Sequence, residues 1–567
     1  MGKKYICVLG GCLSSLGKGV LSSSIGALLE TCAGKKVTMV KCDPYLNVSA
    51  DTLRPTEHGE SFVLDDGWCA DLDLGNYRRF THSALSKANS VTSGQVFAQV
   101  LENEKKGMYL GKTIQFIPHI TNEIKRRITE ASSDPESITV VEIGGTVGDL
   151  ESQVYVEAVR QLADELNTPT EKNVLVVYLT LIMRMPNGEI KTKPAQHSVS
   201  ELTEAGIKPD VLVCREKEPL SNEILSKLET FCGVPRSRIF TSVDVPSVYL
   251  LPAEFKKQGL DKLILTQLGF EDTTSEKATY WDDLVQKLDK INKQQRAARV
   301  AIVGKYISNP DSYKSVEEAL YSACVANGVQ MELSYIDSAQ LENAPEDLFR
   351  ATLRDFDGIL IPGGFGSSGI EGMIRACKYA RENNVAYFGI CLGMQILVIE
   401  YARNVLGLKD ANSTEIDPNT TNPVISLLPE QQNIQYYGET MRLGVTRSVI
   451  DLNRKTAIAK AYTESKACPY PQVDEIHRHK YEVNQNFKDK LKDGGLILET
   501  IYTPRDGFNL TESAEYKNGR GFGVQFHPEF KSRMFEPHPL FNYFIKRCLD
   551  CHEKEVTSTI TTNNKVE

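Results

Sequence analysis

The stretch that decides the fold of the N-terminal half is Tyr5-Ile6-Cys7-Val8-Leu9-Gly10-Gly11-Cys12-Leu13-Ser14-Ser15-Leu16-Gly17-Lys18-Gly19. Its first five residues predict a buried strand, and the glycine-rich run after them leads into a helical pattern. Glycine lets the backbone approach a phosphate closely, a helix N-terminus favours an anion, and Lys18 adds a full positive charge. The stretch therefore favours a phosphate loop over a structural glycine-rich turn. Gly19 stands where a strict phosphate-loop motif has Ser or Thr for magnesium.

Around this stretch, strand-like apolar runs alternate with longer amphipathic runs, a pattern that predicts an α/β fold with a largely parallel sheet. The predicted strands of residues 1–270 are Tyr5–Leu9, Val37–Lys41, Ile138–Ile143, Val174–Leu181 and Val211–Cys214, with helical patterns at Leu21–Cys32 and Ser152–Leu166. A second series has predicted strands at Arg299–Lys305, Met331–Tyr335, Gly358–Pro362, Val385–Ile390 and Phe522–Phe526.

The two series predict two α/β domains along the chain. The first domain covers residues 1–270, and the polar segment 271–298 is predicted to be a linker with one short helix. The second domain covers residues 299–550. The Ser/Thr/Asn/Lys-rich residues 551–567 predict a disordered tail.

Composition limits the classes of function. The chain has 567 residues and a formal net charge of −9, which does not suggest a nucleic-acid or membrane surface. The longest apolar run, Val174 to Met183, is too short to span a bilayer. The 13 cysteines are sparse and lack zinc-site spacing, so reduced thiols in a cytosol fit best. We therefore expect a cytoplasmic protein without nucleic-acid or membrane partners.

Charged residues of the first domain are candidates for binding a nucleotide. If Gly19 cannot ligate Mg²⁺, then Asp71, Asp73 or Glu142 must, although an isolated Asp-x-Asp fits a solvated loop better than a metal site. Lys41 ends a predicted strand, where α/β folds gather ligands. Lys191 and Lys193 would point the same way in an extended segment and could clamp a polyphosphate, but by themselves they fit a surface charge cluster better.

The second domain carries a stronger signal. A predicted strand ends at Gly389-Ile390-Cys391-Leu392-Gly393-Met394-Gln395, which has the pattern of a nucleophile elbow that sets a cysteine at a helix N-terminus. Another strand leads into His527-Pro528-Glu529, where the histidine can act as base and the carboxylate can orient it. The turn Pro362-Gly363-Gly364-Phe365-Gly366 can offer amides to an oxyanion. Together these three pieces predict a catalytic triad rather than packing residues.

These motifs resemble two known families. GICLGMQ, the HPE ending and PGGFG resemble class I glutamine amidotransferases. GGCLSSLGKG, KCDPY, DLDLGNY, GKTIQFIPHIT, EIGGTVGDLES and IKTKPAQHS resemble the synthetase domain of the CTP synthase family. The resemblance covers about residues 1–270 and 299–545. It implies a P-loop-like parallel-sheet amidoligase domain followed by an α/β glutamine amidotransferase domain.

The resemblance also implies an activity, ligands and roles for particular residues. The activity is the ATP-dependent amination of UTP to CTP, in which the uracil oxygen is phosphorylated and then displaced by ammonia that travels from the glutaminase site through an enclosed path. Mg²⁺ is the implied metal, CTP is the implied feedback inhibitor, and GTP is the implied activator of glutamine hydrolysis. The implied assembly is a homotetramer that can form filaments.

The catalytic residues would be Cys391, His527 and Glu529. The ATP residues would be Ser15, Leu16, Gly17, Lys18, Gly19, Val20, Lys41, Asp73, Arg215, Val243, Asp244 and Val245. The metal ligands would be Asp73 and Glu142. The UTP or CTP residues would be Ser14, Asp149, Leu150, Glu151, Lys191, Thr192, Lys193, Pro194, Ala195, Gln196 and Lys227. The glutamine residues would be Gly364, Leu392, Gly393, Met394, Gln395, Glu415 and Lys480.

Several positions depart from the family pattern, and three of them bear on the expected ligands. Asp51 replaces a glycine near the nucleotide site, and Ser368 replaces an arginine that is linked to the GTP response. Lys480 replaces an arginine expected to meet the glutamine carboxylate and so lacks its bidentate fork, which predicts weaker glutamine use. Two other hypotheses remain beside an active CTP-forming enzyme: a divergent paralogue with impaired amination, and an amidoligase that acts on another substrate, as in the cobyrinate or dethiobiotin branch.

Overall fold

The apolar run that opens the chain forms a fully buried strand, Lys4–Gly10, in the middle of a parallel sheet. In this computed structural model the described residues are 2–271, 275–427, 441–465, 471–499, 501–502 and 509–550. The seven parallel strands of this sheet, in spatial order, are Ile239–Val243, Val211–Glu216, Val174–Leu181, Lys4–Gly10, Ile138–Ile143, Val37–Asp43 and Ser90–Thr92.

All five strands predicted for this half are present, so the prediction of a parallel sheet is confirmed. The two edge strands were not predicted, because short segments with mixed polarity carry a weak periodic signal. Besides a short helix within residues 53–69, the α-helices of this half of the chain are Lys18–Thr31, Asp73–Phe80, Ser93–Lys105, Thr121–Glu130, Gln153–Leu166, Lys193–Glu204, Asn222–Cys232, Leu251–Gln258 and Leu260–Gln267. The short strands Met183–Arg184 and Ile190–Lys191 form a separate antiparallel hairpin.

The second half is built on another α/β sheet. In spatial order its strands are Gln330–Asp337, Ala297–Gly304, Gly358–Ile361, Ala386–Ile390, Gly521–Val524 and Ser513–Glu515. The first five are parallel and the last is antiparallel to its neighbour. All five strands predicted for this half are therefore present.

Helices cover this second sheet, and two smaller sheets accompany it. The helices are Lys314–Ala326, Ser338–Glu342, Glu346–Leu353, Ile370–Asn383, Leu392–Asn404, Ala457–Glu464, Gln485–Asp493 and residues 539–550. One small sheet orders Gln472–His479, Arg442–Val449, Ile501–Tyr502 and Leu510–Thr511, and the other orders Asn412–Ser413, Pro423–Leu427 and Tyr481–Val483. Among the described helices, none is long and apolar enough to cross a membrane.

The chain divides into two compact units, residues 1–52 with 70–287 and residues 53–69 with 288–567. Residues 53–69 lie inside the range predicted for the first domain, yet they pack with the second unit. They include the helix Pro55–His58 and the strand Phe62–Val63, and the strand Cys69–Ala70 follows. The segment predicted as a linker contains the helix Tyr280–Asn292, whose fully buried Trp281 donates a hydrogen bond to Thr31 in the first unit. The predicted tail, residues 551–567, lies outside the described residues.

Candidate active sites

The phosphate-loop candidate lies where the strand Lys4–Gly10 meets the helix Lys18–Thr31. The turn is strained, because Cys12 (φ 75°) and Ser15 (φ 56°) adopt left-handed backbone conformations and Gly17 (φ 106°) precedes the helix. Ser14 and Ser15 are exposed, whereas Lys18 is buried and donates a hydrogen bond to the carbonyl of Gly145 at 2.6 Å. Burial lowers the pKa of Lys18, although nearby carboxylates oppose that shift. The loop thus holds a buried lysine beside a strained backbone at a helix N-terminus, and a helix N-terminus favours an anion.

Lys41 is the centre of a buried charge cluster at the carboxyl end of this sheet. Its ammonium contacts the carboxylate of Asp73 and donates to Glu142 Oε1 at 2.8 Å, with Asp43 Oδ1 at 3.6 Å. Burial alone would lower the pKa of Lys41, but Asp73, Glu142 and Asp43 together raise it well above its usual range. Tyr77 donates its hydroxyl hydrogen to the other oxygen of Glu142. Asp43 and Tyr77 are members of this cluster that the sequence did not single out.

The residues present fit a magnesium ion held by two carboxylates. Any side chain at Gly19 would collide with the carboxylate of Asp73, so that carboxylate lies where a Ser or Thr of a strict phosphate loop would project. Glu142 contacts the same lysine as Asp73, which brings the two oxygen donors together. Two carboxylates plus phosphate oxygens and water are the ligands that Mg²⁺ prefers. Asp71 instead accepts a hydrogen bond from the backbone of Asp73 at 3.0 Å, a position that supports the helix Asp73–Phe80.

The predicted ATP residues outside the loop lie on the neighbouring strand ends. Arg215 donates to the carbonyl of Leu16 at 3.0 Å and to Asp244 Oδ1 at 3.4 Å. It therefore connects the phosphate loop with Asp244, which directly follows the strand Ile239–Val243. The structure brings these predicted residues together, and Val20, Val243 and Val245 lie beside them along the chain.

The predicted UTP residues lie on two loops and a helix start. Cys12 in the phosphate loop contacts the carbonyl of Pro194 at 3.2 Å, which brings that loop and residues 191–196 together. Asp149, Leu150 and Glu151 are exposed in the loop that follows Gly145. Within the helix start, Gln196 donates to Thr192 Oγ1 at 3.0 Å, and Ala195 is fully buried. Lys227 is exposed on the helix Asn222–Cys232.

Lys191 and Lys193 do not share the extended segment in which they would point the same way. Lys191 ends a short strand, Thr192 is helical, and Lys193 begins the helix Lys193–Glu204. Pro194 fixes a helical φ at the start of a helix, so the chain turns here instead of continuing as a strand. Lys191 pairs with Glu189, and the Lys193 ammonium lies 6.0 Å from the ring centre of Phe231.

The cysteine elbow of the second unit has the geometry that its sequence predicts. Cys391 adopts φ 52° and ψ −100° between the strand Ala386–Ile390 and the helix Leu392–Asn404. A methyl group at Gly389 would collide with the backbone of Gly393, and one at Gly393 would collide with the carbonyl of Ile361. Only glycine leaves room for the turn, which presents the sulfur at the N-terminus of the helix.

His527 and Glu529 form a buried pair beside the elbow. Nδ1 of His527 is 2.7 Å from Glu529 Oε1, and the backbone N–H of His527 donates to the carbonyl of Ile476 at 2.7 Å. The ring stacks on Phe530 with centroids 5.3 Å apart, and Phe62 packs edge-on against Phe530 at 5.0 Å. Burial alone would lower the pKa of His527, but the charges of Glu529 and Cys391 raise it to about 10.

The oxyanion turn packs directly against this pair. A methyl group at Gly363 would lie 2.6 Å from Cε1 of His527 and 3.6 Å from Cβ of Cys391. At Gly364 it would lie 3.5 Å from Cδ2 of Leu392. The structure thus brings together the predicted catalytic residues and the predicted glutamine residues Gly364, Leu392, Gly393, Met394 and Gln395.

The two remaining predicted glutamine residues lie at the edges of this group. Glu415 accepts a hydrogen bond from the backbone of Gly366 at 3.0 Å, and Lys305 donates to the carbonyls of Phe365 and Gly366. Lys480 is half-buried directly before Tyr481, whose carbonyl accepts a hydrogen bond from Gln395 at 3.1 Å. Lys305 was missed from the sequence, because a lysine after a strand carries no motif of its own.

Comparisons with known proteins assign a family to each half of the chain. The family model of the CTP synthase N-terminus matches residues 4–270, and that of class-I glutamine amidotransferase matches residues 309–547. The CTP synthase of Syntrophus aciditrophicus is 46% identical over 98% of this chain and 99% of that protein. The CTP synthase of Hydrogenobaculum sp. is 46% identical over 96% of this chain and 97% of that protein.

This chain belongs to the CTP synthase family. The resemblance seen in the sequence and the predicted two-part α/β fold are thereby confirmed. The glutaminase domain of Trypanosoma brucei CTPS, solved with bound acivicin, is 37% identical and covers 45% of this chain and 94% of that domain, with a TM-score of 0.41.

The backbone at two of the departures from the CTP synthase pattern, Asp51 and Ser368, accommodates the residue that this chain has there. Asp51 lies in the short helical turn Ala50–Thr52, a backbone conformation that any residue adopts, so the turn itself does not require glycine. Ser368 is exposed directly before Gly369, which starts the helix Ile370–Asn383 with a left-handed φ of 72°. Both substitutions are therefore compatible with the local fold.

Proposed function

We propose that this protein makes CTP by the ATP-dependent amination of UTP with ammonia from glutamine, a reaction of pyrimidine nucleotide biosynthesis. One observation carries the proposal. A chain similar to CTP synthases over nearly its whole length gathers a Cys–His–Glu set in one unit and a phosphate loop with paired carboxylates in the other.

Glutamine is hydrolysed at Cys391. The thiolate attacks the side-chain amide carbon of glutamine, and His527, oriented by Glu529, gives its proton to the departing ammonia. Backbone amides of the Gly363–Gly364 turn and of Leu392 stabilise the oxyanion. Water then hydrolyses the thioester, and glutamate leaves. Gly364, Met394, Gln395, Glu415 and Lys480 bind the rest of the glutamine.

UTP is activated at the phosphate loop. The uracil 4-oxygen attacks the γ-phosphate of ATP, ADP leaves, and ammonia then displaces inorganic phosphate from the ring carbon. Lys18 and Lys41 bind the transferring phosphoryl group, and their ammonium groups stabilise its negative charge in the transition state. Asp73 and Glu142 would hold Mg²⁺, which supplies positive charge to the ATP phosphates. The ATP purine lies near Arg215 and residues 243–245.

The remaining polar loops bind UTP and its product. Ser14, residues 149–151, residues 191–196 and Lys227 form this set, and CTP on the same residues accounts for feedback inhibition. GTP is the proposed activator of glutamine hydrolysis. Because Ser368 lacks the guanidinium that the family usually has at this position, we expect this chain to respond to GTP less than a typical member does.

The protein assembles as a homotetramer that can extend into filaments, and it acts in the cytoplasm. An exposed apolar cluster supports association: Met108, Leu110, Phe116 and Ile117 are 63%, 90%, 63% and 53% exposed. Clustered apolar side chains of this size are typical of protein–protein interfaces.

The decisive experiment follows the absorbance change from UTP to CTP with ATP and Mg²⁺, using glutamine or ammonium chloride as nitrogen donor. Wild type should use both donors, and Cys391→Ala should use ammonium alone. Cys324→Ala is the matched control, because it removes another buried thiol and should keep both reactions.

Failure of wild type with both donors, in a folded protein, would overturn the proposal. Glutamine hydrolysis without CTP formation would favour a divergent paralogue. Amination of a different acceptor would favour an amidoligase of another pathway.

A further inference from the structure

Gln525 lies against the sulfur of the proposed nucleophile. It follows the strand Gly521–Val524 and is fully buried, two residues before His527. Its backbone N–H donates to the carbonyl of Glu512 at 2.9 Å, which anchors the residue. Its side-chain Nε2 is 3.7 Å from Cys391 Sγ, within the range of a hydrogen bond to sulfur.

The neighbouring residues decide which end of the Gln525 amide faces the sulfur. The carbonyl of Tyr481 can only accept a hydrogen bond, so the group of Gln395 that lies 3.1 Å from it is its NH₂. The same NH₂ of Gln395 lies 3.4 Å from Gln525 Oε1, which can therefore only be an acceptor. The NH₂ of Gln525 is consequently the end that faces Cys391.

An N–H directed at sulfur distinguishes the thiolate from the thiol. A neutral thiol is a weak acceptor, whereas the thiolate is charged and accepts strongly. A hydrogen bond that is stronger to the ionised form favours that form. This fully buried donor gains further strength because water cannot replace it.

We propose that Gln525 is a further catalytic-site residue, whose amide N–H stabilises and aims the Cys391 thiolate while Gln395 and the Tyr481 carbonyl hold that amide in the donating orientation. This inference rests on the proposed glutaminase function. The Gln525 amide adds a hydrogen-bond donor to the two other groups that stabilise the Cys391 thiolate, the helix N-terminus and His527.

The Gln525 variants leave the other ionisable residues around the sulfur unchanged in identity. His527 and Glu529 lie on the segment that follows Gln525. The strand Gln472–His479 carries buried His477 and His479 and half-buried Arg478, whose carbonyl lies 3.9 Å from the sulfur. Arg442 on the adjacent strand binds Glu482 and Glu512, and Lys305 lies beside the oxyanion turn. A change in thiolate formation in Gln525 variants is therefore assigned to the missing N–H.

The test is the pH dependence of alkylation of Cys391 by iodoacetamide, which needs no turnover. Labelling is measured by mass spectrometry of the Cys391 peptide, so that partly exposed Cys12 does not contribute. Gln525→Met keeps the side-chain length but has no N–H. We expect its alkylation midpoint to rise by about one pH unit, which is a tenfold loss of thiolate preference. Gln525→Asn retracts the amide by one methylene and should also raise the midpoint.

A double mutant tests whether Gln395 holds the Gln525 amide in its donating orientation. Gln395→Met should raise the midpoint by less than Gln525→Met, and the double variant should shift it no further than Gln525→Met alone. If the alkylation midpoint is unchanged in folded Gln525→Met and Gln525→Asn, the inference is overturned. If the midpoint shifts of Gln395→Met and Gln525→Met add fully in the double variant, Gln395 does not act by orienting Gln525. If wild type fails to hydrolyse glutamine while the midpoint still shifts, the proposed function fails and the donor role survives.

Discussion

Lys480 is the residue whose identity most directly predicts a difference in substrate use. A lysine offers a single ammonium, whereas the arginine usual in the family forms two parallel hydrogen bonds to a carboxylate. We expect Lys480→Arg to lower the glutamine KM several-fold while the ammonium-dependent rate stays at the wild-type value. Initial rates of CTP formation over a range of glutamine concentrations test this. A glutamine KM that does not change in the variant would show that Lys480 already performs the arginine's role.

The pair of His527 and Glu529 predicts a pH-dependent stability. The pKa of His527 is raised from 6.5 to about 10, so the stabilising effect is fully present below pH 6.5 and is lost as the pH rises through about 10. We expect Glu529→Gln to lower the free energy of unfolding at pH 7, and the difference from wild type to shrink as the pH approaches 10. Urea denaturation at pH 7, 8.5 and 10 measures it. A difference that stays constant over this range would contradict the assignment.

At the scale of elements, the cysteine elbow depends on two close backbone approaches. A methyl group at position 393 meets the carbonyl of Ile361 on the neighbouring strand, and it cannot rotate away as a longer side chain could. We expect Gly393→Ala to displace the start of the helix Leu392–Asn404 and to lower kcat/KM for glutamine at least 100-fold, because small misplacements of a nucleophile are costly. Ammonium-dependent CTP formation checks that the protein is folded. Wild-type glutamine kcat/KM in the variant would contradict this account.

The charge cluster around Lys41 at the strand ends of the first sheet predicts a loss of stability when that lysine is removed. Lys41→Met would remove the ammonium that pairs with the buried carboxylate of Glu142 and the half-buried one of Asp73, which costs about 3–5 kcal/mol in the free energy of unfolding. Burial raises the pKa of Glu142, so the loss should become smaller as the pH falls from 7 to 5.5 and the carboxylates take up protons. Urea denaturation at both pH values measures this.

Lys4→Met is the matched control for Lys41→Met. Lys4 is also buried, but its partner Glu171 is 45% exposed and can be hydrated. We expect a clearly smaller loss of stability in this control. Equal losses in the two variants would show that the unpaired carboxylates are not the cause.

At the scale of the whole molecule, the exposed apolar cluster predicts an oligomer interface. We expect Phe116→Asp to shift the sedimentation coefficient towards smaller species and to lower the rate of CTP formation, because a buried unpaired charge opposes association. Leu348→Asp is the control, since Leu348 is 60% exposed on the helix Glu346–Leu353 of the other unit. If both variants sediment like wild type, residues 108–117 do not form an interface.

The sequence by itself determined the main elements and the residue types of both candidate sites. Apolar runs such as Lys4–Gly10 and Ala386–Ile390 form buried strands of the two sheets. The glycines beside Cys391 allow the tight turn between strand and helix. These features depend on local backbone conformation and on the periodic spacing of apolar residues, both of which can be recognised in a sequence. They sufficed to predict two α/β units, a phosphate loop and a cysteine elbow.

Tertiary structure decided which distant residues meet. The carboxylate of Asp73 lies in the space that Gly19 leaves free, and Lys41 lies between Asp73 and Glu142. The amide of Gln525 reaches Cys391, which precedes it by 134 residues. Each of these contacts joins segments far apart in sequence, so their spacing along the chain carries no sign of them. The packing of strand ends and loops brings them within hydrogen-bonding distance, and only there do burial and neighbouring charge shift their chemistry.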